Sequence, residues 1–288
     1  MKLIEKNTAI RVKDQMLKFI SKKSIIRLVV LFAIINFCIS CVPRGKAPVM
    51  KSEFMMAVER YRKRIREDQK NLNLHRKMIK YASETEQMDV PFYVYKESYE
   101  EHPENPVVLY VLGYTYLIDG KEESLKLAEE YFLNAINKNP DMADAYAGLG
   151  ACYLKQGRIQ EAGKEIKRSI RLNPKLFPGY ISLGEYYREK GKYDKAIESY
   201  NFALKFNPES FEAYLGLGIS YFNTKNYDEA VDKLNLALTL KNDSLEVHRF
   251  LGKTYAMNGK PEMALKEYEL IVQKPSYWYE LANLFLEA

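Results

Sequence analysis

Residues 143–176 read ADAYAGLGACYLKQGRIQEAGKEIKRSIRLNPKL, and residues 177–210 read FPGYISLGEYYREKGKYDKAIESYNFALKFNPES. Laid over one another, they align Leu149-Gly150 with Leu183-Gly184, Tyr153 with Tyr187, Gly157 with Gly191, Ala162 with Ala196 and Asn173-Pro174 with Asn207-Pro208, each 34 residues apart. The Leu-Gly pair also stands at Leu112-Gly113, Leu217-Gly218 and Leu251-Gly252, so the steps along the chain are 37, 34, 34 and 34. A tyrosine follows each of these glycines by three: Tyr116, Tyr153, Tyr187, Tyr221 and Tyr255. A fixed period of this length is the mark of a stacked repeat.

Within one unit the spacing dictates two helices. Tyr146, Leu149 and Tyr153 fall at intervals of three and four, one face of a first helix. Ala162, Ile166 and Ser169 do the same on a second. Gly150 and Ala162 lack bulk, which lets the two helices cross closely. Gly157, Gly191 and Gly259 suit a left-handed turn between them. Pro174 cannot continue a helix and ends the second one. One pair cannot bury both its faces, so the pairs must stack.

This pattern resembles the tetratricopeptide repeat (TPR), over residues 106–288. The resemblance implies an all-α, right-handed superhelical solenoid of antiparallel helix pairs, with units at 106–142, 143–176, 177–210, 211–244 and 245–275. Trp278, Leu281, Ala282 and Phe285 repeat the first-helix pattern and read as a capping helix over 276–288. Three extra residues around Lys121–Ser124 predict a longer turn in the first unit. Asn242 replaces the expected proline in the fourth. Residues 71–105 read as a degenerate unit, with helices at Leu74–Ala82 and Asp89–Glu101. The signature slots take twelve of the 23 tyrosines, which makes those twelve core residues.

The formal charge of +6 is confined to one end. Residues 1–40 carry six Lys and two Arg against Glu5 and Asp14, and the rest of the chain balances 36 basic with 36 acidic side chains. That distribution argues against nucleic acid as the partner. Within the body, residues 44–80 carry twelve basic and four acidic groups, and residues 81–105 carry one and seven. Phe54, Val58, Tyr61 and Ile65 form a stripe inside the basic stretch, which predicts a basic amphipathic helix over 51–70 (Ser52 to Gln69). Its charges suit either a solvated face or anionic lipid phosphates, the latter at ~1 kcal/mol per residue.

Lys18, Lys22, Lys23 and Arg27 precede an apolar run, Leu28 to Ile39, that ends at Ser40-Cys41. A helix of about twelve residues rises roughly 18 Å, short of the ~30 Å hydrocarbon core. A basic region, a short apolar region and a small residue describe a secretory signal over 1–40. The junction resembles a bacterial lipobox, with Cys38 where an aliphatic residue is usual. The resemblance makes Cys41 the lipidated first residue, on a tether of residues 41–50, and Val42 after it points to the outer membrane. An uncleaved short anchor and a buried core helix are the other readings. The 27 residues before the run also leave Met16 open as the start. Cys152 reads as a buried core thiol.

No nucleophile elbow, HExxH, paired CxxC or phosphate-binding loop occurs in the sequence. The reading is therefore of a non-enzyme with no catalytic residue, no metal and no cofactor. The repeat resemblance places a binding groove on the concave face of the first helices. Its lining would be Tyr110, Tyr114 and Leu117, then Ala147, Ala151 and Leu154, then Ile181, Glu185 and Arg188. Leu215, Ile219 and Phe222 follow, and Arg249, Lys253 and Ala256 end the row. Apolar residues not needed for the core suggest docking of a protein or peptide segment, apolar helix or extended. The protein's own N-terminal helix or a second protomer would fill the same groove. Slots that hold Lys and Asn in a carboxylate clamp are mostly Ala, Ile and Leu here, against a cochaperone role. The combination resembles type IV pilus biogenesis lipoproteins, the pilotin-like proteins that help a secretin assemble. An inner-membrane-anchored chaperone or an adaptor for cell-wall enzymes shares the architecture.

Overall fold

The computed structural model describes residues 55, 56, 58–63, 71–85 and 87–273. All of these but Met55 and Met56 belong to one unit, Ala57–Ala288. The signal segment, Cys41, the tether, most of the 51–70 helix and the capping helix lie outside the described residues.

Among the described residues the structure is helical throughout. We number the helices α1 (Leu72–Glu84), α2 (Asp89–Glu101), α3 (Pro106–Asp119), α4 (Glu122–Lys138), α5 (Ala143–Lys155) and α6 (Ile159–Leu172). They continue as α7 (Phe177–Glu189), α8 (Tyr193–Phe206), α9 (Phe211–Asn223), α10 (Tyr227–Leu240), α11 (Leu245–Met257) and α12 (Pro261–Gln273). From α3 onward they form five close pairs, and each second helix packs on the first helix of the next pair. Ser210 and Ser244 cap α9 and α11 by accepting the amides of Ala213 and Val247. Gly120, Gly157, Gly191 and Gly259 turn the chain inside four pairs with φ of 71°, 75°, 65° and 70°.

The repeat glycines are there for close approach. A Cβ on Gly184 would lie 2.5 Å from the Tyr200 ring, and one on Gly216 would strike the same ring. Tyr200 is therefore clamped between α7 and α9 and is 1% exposed. Its counterparts grade outward. Tyr116, Tyr146, Tyr153 and Tyr255 are buried, and Tyr180, Tyr187, Tyr214 and Tyr221 are half-buried. Tyr268, read as core, is 36% exposed, since no further described pair covers α12.

Two local expectations are corrected. The three extra residues of the first unit do not lengthen its turn. Gly120 caps α3 in the left-handed region and α4 starts two residues later, running 17 residues where α6, α8 and α10 run 14. Glu122 and Glu123 favour that early start by facing the positive end of the helix dipole. Second, α1 and α2 do not form the close hairpin of the other pairs. α1 packs mainly on α3 and only slightly on α2. The helical residues 58–63 bridge the two instead. Val58 is fully buried, the Tyr61 hydroxyl donates to the Met78 carbonyl at 2.7 Å, and Arg62 donates to both Glu97 oxygens at 2.6–2.9 Å.

Candidate functional site: the concave groove

The first helices α1, α3, α5, α7 and α9 line an open cleft of about 710 Å³. It gathers Tyr110, Tyr114 and Leu117 from α3, Ala147, Ala151 and Leu154 from α5, and Ile181, Glu185 and Arg188 from α7. Tyr110, Leu117 and Ala147 form its buried base, while Tyr114, Ala151, Leu154 and Ile181 are half-buried and face the space. The Tyr110 and Tyr114 rings stack with centroids 6.2 Å apart. Burial pushes the Glu185 carboxyl up, against the pull of Arg188 and Lys155.

The rest of the expected row does not join this cavity. Leu215 and Ile219 are 9% and 5% exposed and belong to a core cluster with Leu234, Val247, Leu251 and Tyr255. Their expected exposure is thus corrected: α11 leans on α9 and covers these large side chains. Phe222 is half-buried against Tyr227 and Phe250, at 6.0 and 6.2 Å between centroids. Arg249 and Lys253 lie on α11 against Phe250, outside the cavity, as does Ala256.

The structure adds a charged wall that the sequence reading missed. Arg76 of α1 is 8% exposed and donates to the Tyr110 hydroxyl at 2.9 Å and to Asp144 Oδ1 of α5 at 2.5 Å. Its guanidinium also lies 5.6 Å from the centre of the Phe177 ring. One turn on, Lys80 pairs with Glu212 at the start of α9. Burial raises the Glu212 carboxyl, but Lys80 and the hydrogen bonds around it win and hold it below the usual range. Of the basic stretch, Arg62, Arg76 and Lys80 are paired with Glu97, Asp144 and Glu212, while Arg60, Lys63 and Lys77 are exposed. One signal was available, since Asp144 and Glu212 share a register two repeats apart.

Cys152 is fully buried and donates to the Leu125 carbonyl at 3.2 Å, and burial pushes its thiol up to about 12. Among the described residues no group of three His, Cys, Asp or Glu side chains could hold a metal ion. Among them, too, no helix is long and apolar enough to cross a membrane.

Sequence profiles of the TPR repeat match residues 184–225, and profiles of the tetratricopeptide repeat match residues 121–180 and 211–244. No curated protein matches the chain. Among solved structures, TTC0263, a thermophilic TPR protein of Thermus thermophilus, aligns with a TM-score of 0.54 at 23% identity, over 63% of this chain and 97% of its own. A monomeric mutant of IFIT1 with Gppp-AAAA aligns with a TM-score of 0.58 at 19% identity, over 69% of this chain and 47% of its own. Both likenesses are of fold.

Proposed function

We propose that this solenoid of tetratricopeptide repeats is a non-enzymatic scaffold that seats an apolar segment of a protein partner on its concave face. The observation that carries the reading is the half-buried floor of the groove. Tyr114, Ala151, Leu154 and Ile181 come from the first helices of three successive units and meet in one space. Apolar side chains that face a cavity gain by desolvation when a segment covers them, at ~25 cal/mol per Å². A Leu154→Glu, Ile181→Glu double variant should lose the partner recovered by crosslinking in native membranes, with helicity and melting temperature near wild type. Equal recovery by the folded variant would remove the groove from the function.

We place the scaffold at a bacterial envelope membrane, held by lipid on Cys41 and most simply at the outer membrane. The support is the Ser40-Cys41 junction after a short apolar run behind basic residues. Two or more acyl chains give the stable anchoring that a single chain does not. The likeness to pilotin-like lipoproteins makes secretin assembly for a type IV pilus our candidate process. A fatty-acid analogue should label the wild type and leave Cys41→Ser unlabelled, and equal labelling of both would sink the lipid anchor.

A further inference from the structure

Leu172, Phe202 and Phe206 stand near the ends of α6 and α8 and are 37%, 44% and 40% exposed. The two phenylalanines are held outward: the Tyr180 ring of α7 stacks against both, with centroids 5.4 and 6.0 Å apart. Tyr180 in turn donates its hydroxyl to the Pro174 carbonyl at 3.1 Å, in the loop that follows Leu172. One patch therefore runs from the end of α6, over the start of α7, to the end of α8. None of the three exposed side chains lines the groove. A contiguous apolar patch on the outside of a fold marks an interaction surface.

Cations surround this patch. Lys167, Arg168, Arg171, Lys175 and Lys205 are exposed, and none of them forms an ion pair among the described residues. The Arg168 guanidinium lies 4.4 Å from the centre of the Tyr146 ring, and the Lys205 ammonium lies 4.4 Å from that of Phe202. The exposed carboxylates along the same edge, Asp141, Glu198 and Glu209, are fewer. The repeat does not require these charges. At the positions of Lys167, Arg171 and Lys175, the unit before carries Leu133, Asn137 and Asp141, and the unit two steps on carries Asn235, Thr239 and Asp243. The basic character is thus confined to the α6 and α8 edge, where the two exposed rings also lie.

We propose that the outer edge of α6 and α8 is a second interaction surface, one that lies on an anionic lipid bilayer. Leu172, Phe202 and Phe206 enter the interface, and the five cations meet lipid phosphates. Unpaired cations on long stems around outward rings, outside the groove and its cleft, fit a flat and yielding anionic surface better than a shaped partner. The surface needs neither the groove nor lipid on Cys41. It would fix which side of the solenoid faces the membrane and leave the groove free.

The test uses the full chain with Trp278→Phe, which removes the single tryptophan, and Phe202→Trp, which sets a reporter in the patch. The probe is vesicles of phosphatidylglycerol and phosphatidylcholine in equal parts, with brominated acyl chains as quenchers. Emission at residue 202 should shift to the blue and be quenched, and vesicles of phosphatidylcholine alone should do neither. The same reporter at Leu127, exposed on α4 between Glu123 and Glu130, should stay unquenched. Arg171→Gln should weaken docking about five-fold, the effect of one basic residue at an anionic surface, and high salt should weaken it too. Circular dichroism confirms that each variant is folded, and the reporter moves to Leu172 should Phe202→Trp disturb the stack on Tyr180. Equal quenching at residues 127 and 202, quenching by phosphatidylcholine alone, or docking that Arg171→Gln leaves unchanged overturns the proposal. A blue shift that grows with protein concentration without vesicles would give the patch to a second copy, and quenching of Tyr81→Trp with none at residue 202 would give the lipid to α1. Either result also overturns it. Because the signal is read at the patch, it is separate from partner capture in the groove and from labelling of Cys41.

Discussion

Lys225 shows how much one residue can carry in a repeated fold. Its φ is 64°, in the left-handed region, at the position where Gly157, Gly191 and Gly259 make the same turn. A side chain there costs roughly 1–2 kcal/mol. Glycine would remove that strain and return ~0.5–1 kcal/mol of it through the freer unfolded chain. Lys225→Gly should therefore stabilise the protein by about 0.5–1 kcal/mol, raising the melting temperature by roughly 1–4 °C. A midpoint unchanged or lowered in thermal unfolding would mean that the fourth turn is not strained. The exception was legible in advance, one 34-residue step beyond Gly191. So was Gly184, one of the two glycines that admit Tyr200, because a missing Cβ that recurs in step with an aromatic marks a close helix crossing. Lys80 and Arg76 were not legible. Local composition marked them as basic, and only the curvature of the stacked units brings them to Glu212 and Asp144, which lie 132 and 68 residues away.

At the scale of the helix, α5 and α9 occupy equivalent places and present opposite surfaces. Ala147, Ala151 and Leu154 of α5 correspond by register to Leu215, Ile219 and Phe222 of α9. The alanines are too short to reach far across to the neighbouring first helix, and the groove stays open above them. Leu215 and Ile219 reach Val247 and Leu251 of α11 and close over. Periodicity identified the face in both helices. It could not say which copy was covered, because that depends on side-chain volume against the next helix. Ile219→Ala should then cost ~2–5 kcal/mol, as core truncations do. Leu215→Glu should unfold the last two pairs by burying an unpaired charge. Circular dichroism melts that match the wild type would return these residues to the groove.

At the scale of the whole molecule, the core among the described residues is uneven, and its distribution sets the order of unfolding. One cluster runs from Ile79 of α1 through Tyr110, Phe132 and Leu149 to Tyr186 of α7. The cluster of the last two pairs is smaller, and α12 leaves Met263, Leu265 and Leu270 more than 40% exposed. The cross-groove ties also favour the first part, since Arg76 fastens α1 to α5. In a solenoid each unit is stabilised by itself and its neighbours, so the end with the thinner interface opens first. Amide exchange on the intact chain should thus run fastest in α11 and α12, and slowest in α3 to α6. Lys225→Gly should slow exchange in α9 and α10 while leaving α3 and α4 unchanged, because nearest-neighbour coupling decays along the stack. Uniform protection from α3 to α12, with one cooperative transition, would show instead that the ties across the groove have fused the array into a single unit.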